Sequence, residues 1–283
     1  MRIAVVGAGG QLGAAIVHEY AHARPDVVVP FTRAQLDVTN DAALAKALAG
    51  ARPDVIINCS GFNEVDAAED RPVDALQVNA FAVRTLARIA DDLHVRFVHY
   101  GSDFVFDGTS ERPYTEVDRP SPQSVYAASK MLGEWFALDA RGGYVLRVES
   151  LFGRAPGGPP SRGSVAAILN GLRAGSAPRV FEDRTVSPTY IPDAARATRQ
   201  LLELNATPGL YHCVNSGHCT WLEFAIELAR QFGLEPKVTP VRMAETKLRA
   251  QRPRFCALSV EKLRHAGVEM PTWQDGIAQY MRE

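Results

Sequence analysis

"RIAVVGAGGQLGAAI" (residues 2–16) decides the fold. Its first six residues form an apolar run of the kind that makes a strand buried on both faces. Gly7, Gly10 and Gly13 follow at G-x-x-G-x-x-G spacing, and the residues after them read as a helix over 12–24. Glycine permits the tight turn and the close approach of backbone to a ligand, while a helix N-terminus offers unpaired N–H groups and a positive dipole end to a pyrophosphate. The motif stands between a strand and a helix, where that mechanism needs it. It marks a dinucleotide site built on Gly7, Gly10, Gln11, Leu12 and Gly13.

The same alternation continues outward. Apolar runs at 26–31, 54–60, 95–102 and 144–150 read as further strands buried on both faces. Helical patterns at 41–49, 74–92 and 124–140 lie among them, which is the signature of a parallel sheet covered by helices. The expected fold is α/β, a doubly wound, Rossmann-like sheet with a smaller α/β C-terminal domain. Residues 1–150 form the dinucleotide-binding part. Residues 151–283 form mainly a discontinuous substrate part, with portions of 180–217 returning to the first. "GRAPGGPPSRGS" (153–164) is too poor in apolar residues for core and reads as a substrate-side loop. "GLYHCV" (209–214) reads as a strand between two helical segments.

Composition excludes several classes of partner. A formal net charge of −1 over 283 residues gives no clustered cationic face for nucleic acid or an anionic membrane. Cys59, Cys213, Cys219 and Cys256 show neither a C-x-x-C pair nor accompanying histidine spacing, so no metal is expected and the thiols read as reduced. The opening apolar run is too short to span a membrane and lacks the pattern of a signal peptide, which points to the cytoplasm.

The second strand ends without the acid that would hydrogen-bond an adenosine ribose and favour NAD; "FTRAQLDV" (31–38) offers Arg33 instead. The cofactor expected is NADPH, with NADH left open. Asp37 and Val38 are placed to bracket the adenine.

In "SVYAASKMLGEW" (124–135), Tyr126 and Lys130 are four residues apart on one face of a helix. An ammonium near a phenol favours the phenolate and is expected to lower the tyrosine pKa. Ser102, at the end of "RFVHYGS" (96–102), is positioned to hold a substrate carbonyl. With the glycine loop, this trio resembles the extended short-chain dehydrogenase/reductase family.

The finer resemblance is to its dTDP-4-dehydrorhamnose reductase branch. It is carried by "HYGSDFVFDG" (99–108), "RPYTEVDRPSPQSVYAASKMLGE" (112–134), "LRVESLFG" (146–153), "SPTYIPDAA" (187–195) and "GLYHCVNSGHCTWLEFA" (209–225). That resemblance implies reduction of the 4-keto group of a nucleotide-linked 6-deoxyhexulose by NAD(P)H, with Ser102, Tyr126 and Lys130 catalytic. It places Ser60, Gly61, Phe62 and Tyr100 beside the cofactor with Tyr126 and Lys130. Val65, Ser102, Asp103, Val105, Tyr126 and Leu151 then face the sugar. Where the family usually reads TSW after the strand-end arginine, this chain reads Val148-Glu149-Ser150-Leu151, and the place of the sugar-stacking tryptophan is assigned to Leu151. Asp103 is followed by Phe104 rather than the glutamate of the related dehydratases, which argues against dehydration. Another sugar-nucleotide reductase or epimerase stays open, as do self-association as a homodimer and a non-catalytic, NADP-binding regulatory subunit resembling methionine adenosyltransferase β.

Overall fold

In a computed structural model that describes residues 1–23 and 26–283, Ile3, Ala4, Val5 and Val6 are fully buried, and their side chains divide between the two faces of a sheet. Ile3 and Val5 join a core with Tyr20 and Leu201; Ala4 and Val6 join another with Leu44 and Leu86. This alternation follows from the two-residue period of a strand.

The central sheet contains β1 (Arg2–Val6), β2 (Val27–Phe31), β3 (Val55–Asn58), β4 (Arg96–Ser102), β5 (Gly143–Val148) and β6 (Gly209–His212). Its order is β2-β1-β3-β4-β5-β6 and every pairing is parallel. The helices are α1 (Gln11–Ala23), α2 (Asp41–Ala51), α3 (Ala82–Asp92), α4 (Val125–Asp139), α5 (Ser164–Arg173), α6 (Ile191–Glu203), α7 (Trp221–Gln231) and α8 (Trp273–Tyr280). α1 and α6 cover one face, while α2, α3 and α4 cover the other. The order reverses between β1 and β3, so the crevice for a ligand lies past the carboxyl ends of those strands.

Three expectations need adjustment. The run 26–31 is not buried on both faces: β2 is an edge strand, with Val27 49% exposed. Pro30 lacks an N–H and is tolerated there because an edge strand can leave one side of its ladder unpaired. The helix read over 74–92 is a longer helical stretch, in which Pro72–Leu76 passes through a π turn, Gln77–Phe81, into α3. The end of the expected helix 12–24 lies outside the described residues at 24.

A second core of Phe152, Leu169, Trp221, Phe224, Trp273 and Ile277 binds α5, α7 and α8 together with short strands from 179–190 and 219–220. Between these stretches the chain returns to the sheet, where α6 packs on α1 and β6 pairs with β5. The cleft runs between the sheet's carboxyl edge and this smaller body. No described helix is long and apolar enough to cross a membrane.

Candidate active site

The glycine loop is built as its chemistry requires. Gly7 adopts φ +81°, and a Cβ there would stand 2.7 Å from the Ser60 nitrogen. A Cβ on Gly13 would collide with the Gly7 carbonyl, so Gly13 serves the packing of α1 against the loop. The Gly7 and Ala8 amides donate to the Phe31 carbonyl at 2.9 and 3.0 Å, which fixes the loop against β2. The first-turn N–H groups of α1 have no intrahelical acceptor, and Gln11 and Leu12 line the cleft at that turn. This cradle fits the pyrophosphate of a dinucleotide.

Two cavities meet there. The outer one, about 880 Å³, is lined by Arg33, Asp37, Val38, Gly61 and Phe62. The end of β2 carries no carboxylate: the Thr32 amide and hydroxyl both donate to Gln35 Oε1 at 2.9 Å. Arg33 is exposed at the cavity, a cation suited to an extra phosphate on the adenosine ribose. Asp37 accepts from the Thr39 amide and hydroxyl at 2.9 and 2.8 Å, and these bonds hold its carboxyl below the ordinary range.

The inner cavity, about 730 Å³, shares Gly10, Cys59, Ser60, Asn63 and Glu64 with the outer one. Ser102, Tyr126 and Lys130 converge on it from β4 and α4. The Ser124 hydroxyl accepts the Ala127 amide at 3.2 Å and so caps α4 one turn before the lysine. Asn79, in the π turn, accepts the Phe62 amide at 2.8 Å and donates to the Phe62 carbonyl and the Ser129 hydroxyl, each at 3.0 Å. It thus ties the Gly61-Phe62 loop to the helix that carries Tyr126 and Lys130.

Lys130 Nζ donates to the Tyr100 carbonyl at 2.6 Å. Burial lowers its pKa to about 8, against the opposing pull of Glu134. The expectation for Tyr126 is reversed: burial raises its pKa, and the Ser102 hydroxyl, not Lys130, opposes that rise. The phenol is therefore held protonated, the state a proton donor needs. Beneath them Arg147 grips Glu134 through Nε at 3.1 Å and Nη2 at 2.7 Å, and both side chains are 2% exposed. Gly101 has no room for a Cβ beside Glu134, so this pair fixes the strand end that presents Ser102.

Asp103 and Glu149 lie deeper in the same cavity with Arg184. Burial raises the pKa of both carboxyl groups, the Asp103 charge raises Glu149 further, and Arg184, whose guanidinium stands 4.0 Å from Asp103, opposes the rise in each. Glu149, Arg184 and Arg252 were not among the residues singled out from the sequence. The signal for Glu149 was present: read letter by letter from Arg147, T-S-W falls on Val148, Glu149 and Ser150. The tryptophan's place is therefore Ser150, not Leu151, and a glutamate stands where that family has serine. Ser150 adopts φ +45°, a left-handed conformation costing about 1–3 kcal/mol in a non-glycine residue.

Val65 and Leu151 line the inner cavity. Val105 does not: it is fully buried among Phe106, Tyr114, Val214 and Leu258, because the one-turn helix after Ser102 points it into the scaffold. Tyr100 contributes its carbonyl to Lys130, while its hydroxyl pairs with Thr198 at 2.7 Å in the core. Gly13 likewise acts on the loop rather than as part of the cavity lining.

Comparison with known proteins agrees with this architecture. The model of the family described as "RmlD substrate binding domain" matches residues 1–283. A spore coat polysaccharide biosynthesis protein of Bacillus subtilis, SpsK, is 29% identical, covering 100% of this chain and 97% of the relative. A dTDP-4-dehydrorhamnose reductase of Burkholderia thailandensis is 30% identical, covering 100% and 99%. The crystal structure of dTDP-4-dehydrorhamnose reductase from Bacillus anthracis in complex with NADP superposes with a TM-score of 0.92 at 28% identity, covering 99% and 98% of the two chains. The chain belongs to the RmlD substrate binding domain family.

Proposed function

We propose that the protein reduces the 4-keto group of a dTDP-linked 6-deoxyhexulose with NADPH, as in the conversion of dTDP-4-dehydro-L-rhamnose to dTDP-L-rhamnose. The names of the relatives and the NADP complex of the Bacillus anthracis structure support the substrate and the cofactor. The observation that carries the reading for this chain is the convergence of a protonated phenol, a serine hydroxyl and a buried ammonium on the inner cavity, which opens into the outer one.

NADPH, when bound, supplies the hydride to C4. Tyr126 gives its phenolic proton to the C4 oxygen, and Ser102 turns its hydroxyl from Asp103 to donate the hydrogen bond that fixes that oxygen. Lys130, held by the Tyr100 carbonyl on the same cavity, is placed to reach the nicotinamide ribose, and the Ser102 hydroxyl is the group that eases formation of the phenolate. The glycine loop and Gln11 hold the pyrophosphate, and Arg33 meets the ribose phosphate.

The division of labour proposed is residues 1–150, with α6 and β6, for the cofactor and the remainder of 151–283 for the sugar nucleotide. Four unpaired cysteines support a reducing cytoplasmic setting. Exposed Phe81, Trp135 and Leu138 on neighbouring helical stretches support assembly as a homodimer, which sedimentation would check.

The test is loss of absorbance of NADPH, and separately of NADH, with dTDP-4-keto-6-deoxyhexoses. Ketose-dependent oxidation, faster with NADPH, is expected. Silence with every ketose, alongside tight NADPH binding, would turn the assignment toward a regulatory subunit.

A further inference from the structure

The floor of the inner cavity holds more polar valence than the chain satisfies. β4 and β5 pair with Ser102 opposite Val148, so Asp103 and Glu149 leave the two strand ends side by side. Each is 2% exposed. Asp103 Oδ1 accepts the Ser102 hydroxyl at 3.1 Å, and Glu149 Oε2 accepts the Ser187 amide at 2.6 Å. Their other oxygens, Asp103 Oδ2 and Glu149 Oε1, have no hydrogen-bond partner among the described residues. Ligand atoms of Asp103, Glu149 and Cys256 all lie within 4.8 Å of one another. Arg184 already brings a cation to this group, 4.0 Å from Asp103 and 3.8 Å from Cys256 Sγ, so the charge does not call for a metal ion. Buried polar atoms left open in this way call for a partner.

We propose that Asp103 and Glu149 together receive the sugar hydroxyl next to the keto carbon, the C3 hydroxyl of a 4-ketohexose, and that Glu149 is a specificity-determining residue of this chain. The choice of carbon rests on the reductase reading above. With the C4 oxygen at Ser102 and Tyr126, the hydroxyl on the neighbouring carbon lies one hydrogen-bond length away, toward the carboxyl that Ser102 already touches. C5 of a 6-deoxyhexulose carries the ring oxygen and a methyl group, so C3 alone offers that hydroxyl. When one of two facing carboxyl groups carries a proton, it is a donor and the other an acceptor, and a hydroxyl entering between them takes the place of their bond to each other and answers both. The serine usual at this position in the family is too short to complete such a pair. A site built to hydrogen-bond a hydroxyl rejects the analogue without it, because its own buried groups are then left unpaired.

The test is calorimetric binding of a dTDP-hexose and of its 3-deoxy analogue to the NADPH-loaded protein, in wild type and in Glu149→Gln, Glu149→Ser and Glu149→Asp. Wild type is expected to bind the 3-deoxy compound about 10²-fold or more weakly. In Glu149→Gln, whose amide donates to Asp103 and closes the pair, and in Glu149→Ser, that ratio falls by at least about tenfold. Glu149→Asp restores part of it. Equal binding of both compounds by wild type would overturn the proposal, as would an unchanged ratio in all three variants. A wild-type ratio that falls in Glu149→Gln and Glu149→Ser, without any ketose-dependent NADPH oxidation, would instead sink the reductase reading and leave the hydroxyl site standing.

Discussion

Lys130 shows at the scale of one residue how function costs stability. Its folded pKa of about 8 lies below the ordinary 10.5, so between those values the unfolded chain binds the additional proton. Stability from this group therefore rises with pH across that window, and its penalty is fully present below pH 8. A shift of this size corresponds to about 3 kcal/mol. Lys130→Met is expected to recover about 1–3 kcal/mol at pH 7, less what its bond to the Tyr100 carbonyl contributes, while abolishing turnover. Urea unfolding of both proteins from pH 7 to 10 checks it: their difference should shrink as pH rises, and a constant difference would contradict the account. NADPH affinity of the wild type should also fall as pH passes about 8, a dependence absent from the methionine variant. Tyr126 and Lys130 could be singled out only when their spacing was read together with the glycine loop and Ser102. The direction of the tyrosine shift was not legible, because burial dominates, the charges of Asp103 and Glu134 raise it too, and spacing says nothing about either.

At the scale of the element, α4 and β4 carry the three residues proposed as catalytic, and their seam is tightly built. A Cβ on Gly133 would run into the Asn79 carbonyl of the π turn, and one on Gly101 into the Glu134 carboxylate. Gly133→Ala should cost about 1–3 kcal/mol through overpacking, read as a lower urea midpoint with an unchanged slope. Glu134→Ala should cost more, about 3–5 kcal/mol, since it leaves the Arg147 guanidinium buried without its partner. Strand and helix positions were readable because period and glycine spacing are local properties. The acid pair was not. Asp103, Glu149, Arg184 and Cys256 are far apart in the chain, and only the pairing of β4 with β5 and the return of 251–256 beneath the cleft unite them. Val105 was placed against the sugar by the resemblance, but a single helical turn directs it into the core.

At the scale of the molecule, one cleft is shared by two bodies that the chain visits alternately. α6 packs on α1 and β6 pairs with β5, and "GLYHCV" was readable as a strand pattern standing among helices. What no local pattern disclosed is the clasp across the cleft mouth. Arg252 meets both oxygens of Asp66, at 2.7 and 2.8 Å, joining the C-terminal part to the short helix Val65–Asp70 that follows β3. Arg252 also lines the inner cavity. Arg252→Met should raise the KM for the sugar nucleotide with little change in NADPH affinity, and equal weakening of both would contradict a role on the substrate side.

The most direct test of the central claim is single-turnover oxidation of bound NADPH by a dTDP-4-keto-6-deoxyhexose in wild type and in Tyr126→Phe. Loss of the proton donor should slow the step about 10²–10⁴-fold, while the dissociation constant for NADPH stays within about threefold. A phenylalanine variant that reduces the ketose at a rate near that of the wild type would contradict it.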